Sequence, residues 1–119
     1  MSDVVEWVLV LKVQDGQADN VMPLLKEMVS ATKANEPGAL HYEYYASDAG
    51  DQVTVLERYV DVDAAMVHMG NFGAQFADRF LAAFAPVRFS VFGAANQALR
   101  DALSPFNATF DPMIAGFHR

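Results

Sequence analysis

Hydrophobic and polar positions along the chain follow a strand period first and a helix period next. The first run, Val4–Val13, is almost continuously hydrophobic and rich in β-branched residues, and it stops before the turn signal Asp15-Gly16. This pattern predicts a strand that is covered on both faces. Apolar residues then recur at i, i+3, i+4, i+7 and i+8, which is one face of a helix. They are Val21, Leu24, Leu25, Met28 and Val29.

The ends of this first helix are marked by its flanking residues. Asp19 or Asn20 is suited to cap its N-terminus, and Pro23 is expected in the first turn, where a missing N–H is tolerated. The segment Glu36-Pro37-Gly38 ends it, because the residue before a proline avoids the helical region.

Two strand-like runs, Leu40–Ala46 and Gln52–Val60, flank a polar loop and predict a hairpin. Counting by two places Leu40, Tyr42 and Tyr44 on one face.

The second half of the chain repeats the helix-then-strand order. Asp61 or Asp63 caps a second helix, which the Gly-Asn-Phe-Gly segment at residues 70–73 is expected to interrupt. A further apolar stripe of helical spacing ends at Pro86, and Val87–Phe92 returns as a strand. A short helix, Ala95–Leu103, and an extended tail, Ala108–Phe117, complete the pattern.

The predicted order is βαββαβ with an extra α and β, which is the order of a ferredoxin-like α+β sandwich. We expect residues 1–119 to form a single domain, because this length supports one core. The helices cover one face of the sheet, and we expect a second subunit to cover the other, giving a homodimer.

The composition of the chain excludes several classes of partner and of chemistry. Eight Lys and Arg against fifteen Asp and Glu give a net charge of −7, which argues against nucleic acid and against anionic membranes as partners. Val4–Val13 is too short to span a bilayer, and no basic segment precedes it, so we expect a cytoplasmic protein. The chain has no cysteine, which excludes disulfides and thiol chemistry. The 53% hydrophobic content implies an interface or an apolar pocket.

A metal site is not indicated. His41, His68 and His118 lie on three different predicted elements without ligand spacing, and Asp61 with Asp63 is better explained as a helix cap.

A set of residues in a defined order carries more information than any single motif. It comprises Glu36-Pro37-Gly38, Tyr42, Glu57 and Tyr59, Asp61, Ala65 and His68. Over residues 4–92 the chain thereby resembles the antibiotic biosynthesis monooxygenase family, with Tyr59 where a Trp is commoner. The resemblance implies a dimeric α+β barrel and oxygen insertion into quinol- or anthrone-like aromatics without flavin, haem, metal or any other cofactor. Haem degradation, a related activity, is disfavoured because the one Trp, Trp7, lies in a predicted strand.

Such chemistry requires an apolar pocket, a proton acceptor and hydrogen-bond donors for an oxyanion. We assign His68 as the base or proton relay, and Tyr42 and Asn71 as the other catalytic residues. The predicted pocket residues are Trp7, Glu57, Tyr59, Phe72 and Phe76.

Other hypotheses remain open. His68 would also be favoured near a helix C-terminus by the dipole alone, and Glu57 would serve structurally if paired with Tyr42 or His68. The protein would then be a non-catalytic dimeric ligand-binding or stress-response module, or a purely structural dimer. An enzyme or a ligand-binding module should contain a cavity of roughly several hundred Å³.

Overall fold

The structure, a computed structural model, describes residues 2–119 and confirms the predicted α+β, ferredoxin-like order. The elements are β1 (Val5–Val13), α1 (Ala18–Asn35), β2 (Ala39–Ala46), β3 (Gln52–Tyr59), α2 (Val62–Gln75), α3 (Ala77–Ala83), β4 (Phe84–Gly93), α4 (Gln97–Leu103), the 3-10 helix Ser104–Phe106 and β5 (Thr109–Asp111).

The five strands form one sheet in the order β2-β3-β1-β4-β5, in which β4 and β5 are parallel and all other neighbours are antiparallel. Along β1, buried residues alternate with half-buried ones, as expected for a strand with one face in the core. The buried face lies under the helices and holds the core, whereas the opposite face has no helix over it among residues 2–119. The helices of these residues lack the combination of length and apolar content that a membrane span requires.

Helix α1 starts earlier than its side-chain caps predict. Its N-cap is Gln17, so the assignment of Asp19 or Asn20 as the cap is wrong, and Asp19 lies in the first turn. Pro23 consequently lies in the second turn of the helix rather than the first. Of the two residues predicted to cap α2, Asp61 is the N-cap, and its side chain accepts a hydrogen bond from the Ala64 N–H at 2.8 Å. Asp63 lies inside the helix.

The expected interruption at residues 70–73 is wrong, since α2 continues to Gln75 and breaks at Phe76. Glycine inside a helix costs about 1 kcal/mol relative to alanine, which packing can offset. Phe72, between the two glycines, packs edge-on against Phe80 with ring centroids 5.0 Å apart. His68 therefore lies near the middle of a helix, and the dipole of a helix C-terminus does not explain its position.

Two irregularities change the predicted register. A bulge between Ala39 and His41 removes Leu40 from the face of Tyr42, and Leu40 is exposed. Strand β4 begins before Pro86, which pairs with Leu11 beside a second bulge. Proline is tolerated there because β5 pairs only with residues 90–92, so β4 is an edge strand at Pro86.

Candidate active site

His68 is held between two carboxylates in the core. Its Nδ1 atom lies 2.9 Å from Oε1 of Glu36, and its Nε2 atom lies 3.2 Å from Oε1 of Glu57. All three side chains are buried, with 5–7% of their surface exposed. We call these residues the Glu36–His68–Glu57 trio.

The two carboxylates receive further hydrogen bonds. Glu57 accepts from the indole N–H of Trp7 at 2.5 Å and from the hydroxyl of Tyr59 at 2.6 Å. Glu36 accepts from the side-chain amide of Asn71 at 3.2 Å. A buried carboxylate needs such donors to replace the water it has lost, so this network compensates for the burial of the trio.

His68 and Glu36 are charged at neutral pH. Burial by itself lowers the pKa of His68, but the hydrogen bonds and negative charges of Glu36 and Glu57 outweigh it and raise that pKa to about 9. Burial likewise opposes ionisation of Glu36, yet the hydrogen bond and charge of His68 hold the pKa of this carboxyl below its ordinary value. The ring is therefore an imidazolium, and both of its N–H groups donate to carboxylates.

Two tyrosines adjoin the imidazolium. The hydroxyls of Tyr42 and Tyr44 lie 2.6 Å apart, and the Tyr42 ring meets the His68 ring edge-on at 5.2 Å. Burial, together with the negative charge of Glu57, raises the pKa of Tyr42, and burial also raises the pKa of Tyr44. Both phenols remain protonated, and because one O–H donates to the other hydroxyl, the pair has one O–H left to donate to a ligand.

The strand register assembles the sheet side of the site. Trp7 on β1 and Tyr42 on β2 both pair with Glu57 on the intervening β3, so the three side chains stand in one row on the helix-covered face. Glu36 comes from the opposite direction, directly after α1, and reaches the middle of α2. Gly38 permits this connection, because a Cβ atom at that position would lie 2.6 Å from the Cβ of Ala64 in α2.

A pocket with a mainly apolar lining adjoins the trio. Its polar wall is formed by Tyr42, Tyr44, Glu57 and His68, and aromatic and aliphatic side chains form the rest. Its volume is about 40 Å³, far below the several hundred Å³ expected. Part of the wall is formed by Phe89 on β4 and by Phe106 at the end of the 3-10 helix. These two rings help to account for the small volume of the pocket.

The predicted site residues divide into two groups. The structure brings five of them together around this pocket: Trp7, Tyr42, Glu57, His68 and Phe72.

Three predicted residues do not line the pocket. Tyr59 is fully buried beside Trp7, with its hydroxyl on Glu57. Asn71 and Phe76 instead line a small adjoining cavity of about 10 Å³ next to Glu36. They project there because α2 continues through residues 70–73 as a helix, which fixes the direction of both side chains.

The three histidines lie in different surroundings. His41 contacts Glu43 on the strand surface, His118 belongs to the extended tail, and His68 is buried. Within residues 2–119, no group of three or more His, Cys, Asp or Glu side chains is arranged to hold a metal ion.

Sequence reasoning missed Glu36 as a site residue, because the Glu36-Pro37-Gly38 segment is explained fully as a helix stop. It also missed Phe106, and it considered Tyr44 as a hydrogen-bond donor without assigning it to the site. For Tyr44 a signal existed, since it shares the period-two face of Tyr42. The sequence contained no such signal for Phe106, because its contact with the pocket depends on the path that the chain takes after β4.

Comparison with known proteins gives a consistent result. The family model described as antibiotic biosynthesis monooxygenase matches residues 5–86. No curated protein matches the chain at a significant level.

Solved structures share the fold. A protein from Caulobacter crescentus CB15, assigned as an antibiotic biosynthesis monooxygenase, is 30% identical with a TM-score of 0.67, over 80% of this chain and 92% of its own. MupZ from Pseudomonas fluorescens is 20% identical with a TM-score of 0.86, over 99% of this chain and 96% of its own. SnoaB from Streptomyces nogalater, a cofactor-independent oxygenase solved in a mutant form, is 17% identical with a TM-score of 0.65, over 81% of this chain and 97% of its own.

Proposed function

The chain belongs to the antibiotic biosynthesis monooxygenase family, and we propose that it is a cytoplasmic, homodimeric, cofactor-independent monooxygenase. Its substrate is a small electron-rich aromatic of the quinol or anthrone type. The observation that carries this proposal is the cationic His68, held between Glu36 and Glu57, at the wall of an apolar pocket.

The reaction needs an electron-rich anion in a water-poor site. Molecular oxygen reacts slowly with closed-shell molecules, so the substrate has to lose a proton before it can give up an electron. A cationic His68 stabilises the resulting oxyanion, and the hydrogen-bonded pair of Tyr42 and Tyr44 supplies one further O–H donor. The apolar remainder of the pocket excludes water and strengthens these interactions.

Proton transfer is assigned to the trio. For an anthrone, the CH₂ carbon gives one proton to Glu57, and His68 gives a proton to the peroxide anion that forms when the resulting carbanion adds to oxygen. Glu57 then returns its proton to His68. Loss of the second proton from the same carbon then breaks the O–O bond. One CH₂ group and one O₂ thereby give one carbonyl group and one water.

A homodimer accounts for the uncovered face of the sheet. Val8, Val10 and Leu56 are half-buried on this face, and Phe92 is 37% exposed. A second copy packed sheet to sheet would remove these apolar side chains from water. Sedimentation equilibrium at several protein concentrations, with Val10→Glu as the disrupting variant, tests this part of the proposal.

Oxygen uptake tests the activity. Hydroquinone, 1,4-naphthohydroquinone and anthrone are supplied in the presence of a metal chelator, to the wild type, His68→Gln and the control His41→Gln. We expect uptake by the wild type and by His41→Gln, and a loss of about a hundredfold or more in His68→Gln. Equal uptake in His68→Gln, with its folding verified by circular dichroism, contradicts the role of His68. Absence of uptake above background with every substrate contradicts the proposed function.

One observation favours a non-catalytic ligand-binding module as the alternative. Within residues 2–119 every buried polar side-chain atom already has a hydrogen-bond partner, so no base stands unpaired in the resting site. Binding of the same aromatics without oxygen uptake would support this second function.

A further inference from the structure

The segment after β4 contributes a wall to the pocket. Phe106, the last residue of the 3-10 helix, is half-buried and lines the same cavity as Trp7 and His68. The family match ends at residue 86, before this segment begins. The fold similarity to MupZ, by contrast, extends over 99% of the chain and so takes in this part.

Phe106 is fixed from both sides. On its N-terminal side, Leu99 and Leu103 are fully buried and anchor α4, whose N-cap Asn96 accepts from the Leu99 N–H at 2.9 Å. On its C-terminal side, β5 pairs in parallel with β4. The backbone that carries Phe106 is held in this way, so the fold and not a mobile loop sets the place of this side chain in the wall.

The turn that carries Phe106 has a specific backbone geometry. Asn107 adopts a left-handed conformation with φ of 58°, and its N–H donates to the Ser104 carbonyl at 3.0 Å. Asparagine tolerates this region better than most residues, so the sequence supports a sharp reversal directly after Phe106.

The small volume of the pocket restricts the size of the ligands that can enter it. A cavity of roughly 150 Å³ is sufficient to bind benzene, whereas this pocket measures about 40 Å³. An aromatic ring is therefore admitted only if side chains of the wall give way. Among the phenylalanines of the wall, Phe80 and Phe89 are 5–6% exposed and belong to the core, whereas Phe72 and Phe106 are half-buried. Of these two, only Phe106 comes from the separate segment after β4.

We propose that Phe106 is the residue that determines the size of the ring system accepted by the pocket. The inference rests on the proposed function for the class of ligand, an electron-rich aromatic. Within the proposed substrate class, the wild type binds single-ring members more tightly than fused three-ring ones.

Trp7 makes binding measurable without turnover. It is the only Trp of the chain and lines the pocket, so quenching of its fluorescence reports a ligand there. Hydroquinone, 1-naphthol and anthrone are titrated under nitrogen into the wild type, Phe106→Ala, Phe106→Leu and Phe110→Ala. Phe110 is a matched control, since it is also half-buried and lies in the same segment, but it contacts Arg100 and does not line the pocket.

We expect Phe106→Ala to bind anthrone at least about tenfold more tightly than the wild type, with a smaller change for hydroquinone and none in Phe110→Ala. If Phe106→Ala does not fold, Phe106→Leu should show the same order of preference. An unchanged preference in a folded Phe106 variant, the same gain in Phe110→Ala, or no quenching in any protein overturns the inference. Absence of oxygen uptake together with the expected change in preference would overturn only the proposed function.

Discussion

Glu36, the residue after α1, receives a hydrogen bond from His68, in the middle of α2, across 2.9 Å of buried space. The pair joins the C-terminal end of α1 to the middle of α2, beside the pocket. The stability and the ionisation state of this pair follow from its charges and its burial, and both can be measured in variants with a single substitution.

Removing the charge of Glu36 should weaken both the fold and the ionised state of His68. Glu36→Gln keeps an acceptor but leaves the imidazolium one carboxylate short, so we expect about 2 kcal/mol less free energy of unfolding. The pKa of His68 should fall as well. Urea denaturation and an NMR titration measure the two effects.

The control is Glu43→Gln, which alters the exposed contact between Glu43 and His41. It should leave the stability and the pKa of His68 unchanged, because exposed ion pairs contribute little. Equal effects of the two variants would contradict the role given to the buried pair.

Stability should depend on pH through His68. Its folded pKa of about 9 lies above the ordinary value of 6.5, so its contribution is complete below pH 6.5 and is lost as the pH rises through 9. The difference corresponds to about 3 kcal/mol. The free energy of unfolding should therefore fall between about pH 6.5 and pH 9 in the wild type. A His68→Gln variant with the same fall would show that another group is responsible.

The indole N–H of Trp7 should stabilise the carboxylate of Glu57. Trp7→Phe retains an aromatic ring but removes the donor, and the buried Glu57 cannot recover it from water. We expect a loss of about 1–3 kcal/mol in thermal or urea unfolding. Tyr45→Phe removes a similar bond to the exposed Glu43 and should have no measurable effect. Stability of Trp7→Phe equal to that of the wild type would argue against this bond.

Gly38 should be required by the close approach of β2 to α2. A Cβ atom there would lie 2.6 Å from the Cβ of Ala64 and 3.3 Å from Cγ1 of Val60. Gly38→Ala should therefore cost about 1–3 kcal/mol. Gly70→Ala, inside α2 with open space at its Cβ, should instead stabilise by about 0.5–1 kcal/mol. A Gly38→Ala variant as stable as the wild type would show that the backbone shifts freely at this point.

The fold was predictable because its signals are local. The continuous apolar run at Val4–Val13, the helical stripe from Val21, and the turn residues between strands each specify one element without reference to the others. Where tertiary packing outweighs local preference, prediction failed. The helix persists through Gly70 because its packing compensates for a poor helix former. The strand persists through Pro86 because β4 is an edge strand there and needs no second partner.

The site was only partly predictable for a related reason. His68, Glu57 and Trp7 gave signals of residue type and strand position, and they do lie together. From the sequence, Glu36 is interpreted as the end of a helix. Its hydrogen bond with His68 depends on the position of α2 opposite it, which the sequence does not reveal. Asn71 and Phe76 were predicted from residue type alone, which does not give the direction of a side chain, and both line the small cavity next to Glu36 instead.

An NMR titration of the His68 ring nitrogens tests the central claim, that a charged imidazolium held by Glu36 and Glu57 forms the polar wall of the pocket. With the ring ¹⁵N-labelled, both nitrogens should carry protons at pH 7 and titrate with a pKa of about 9. A ring that titrates at or below its ordinary value of 6.5 would be neutral at pH 7 and would contradict the account.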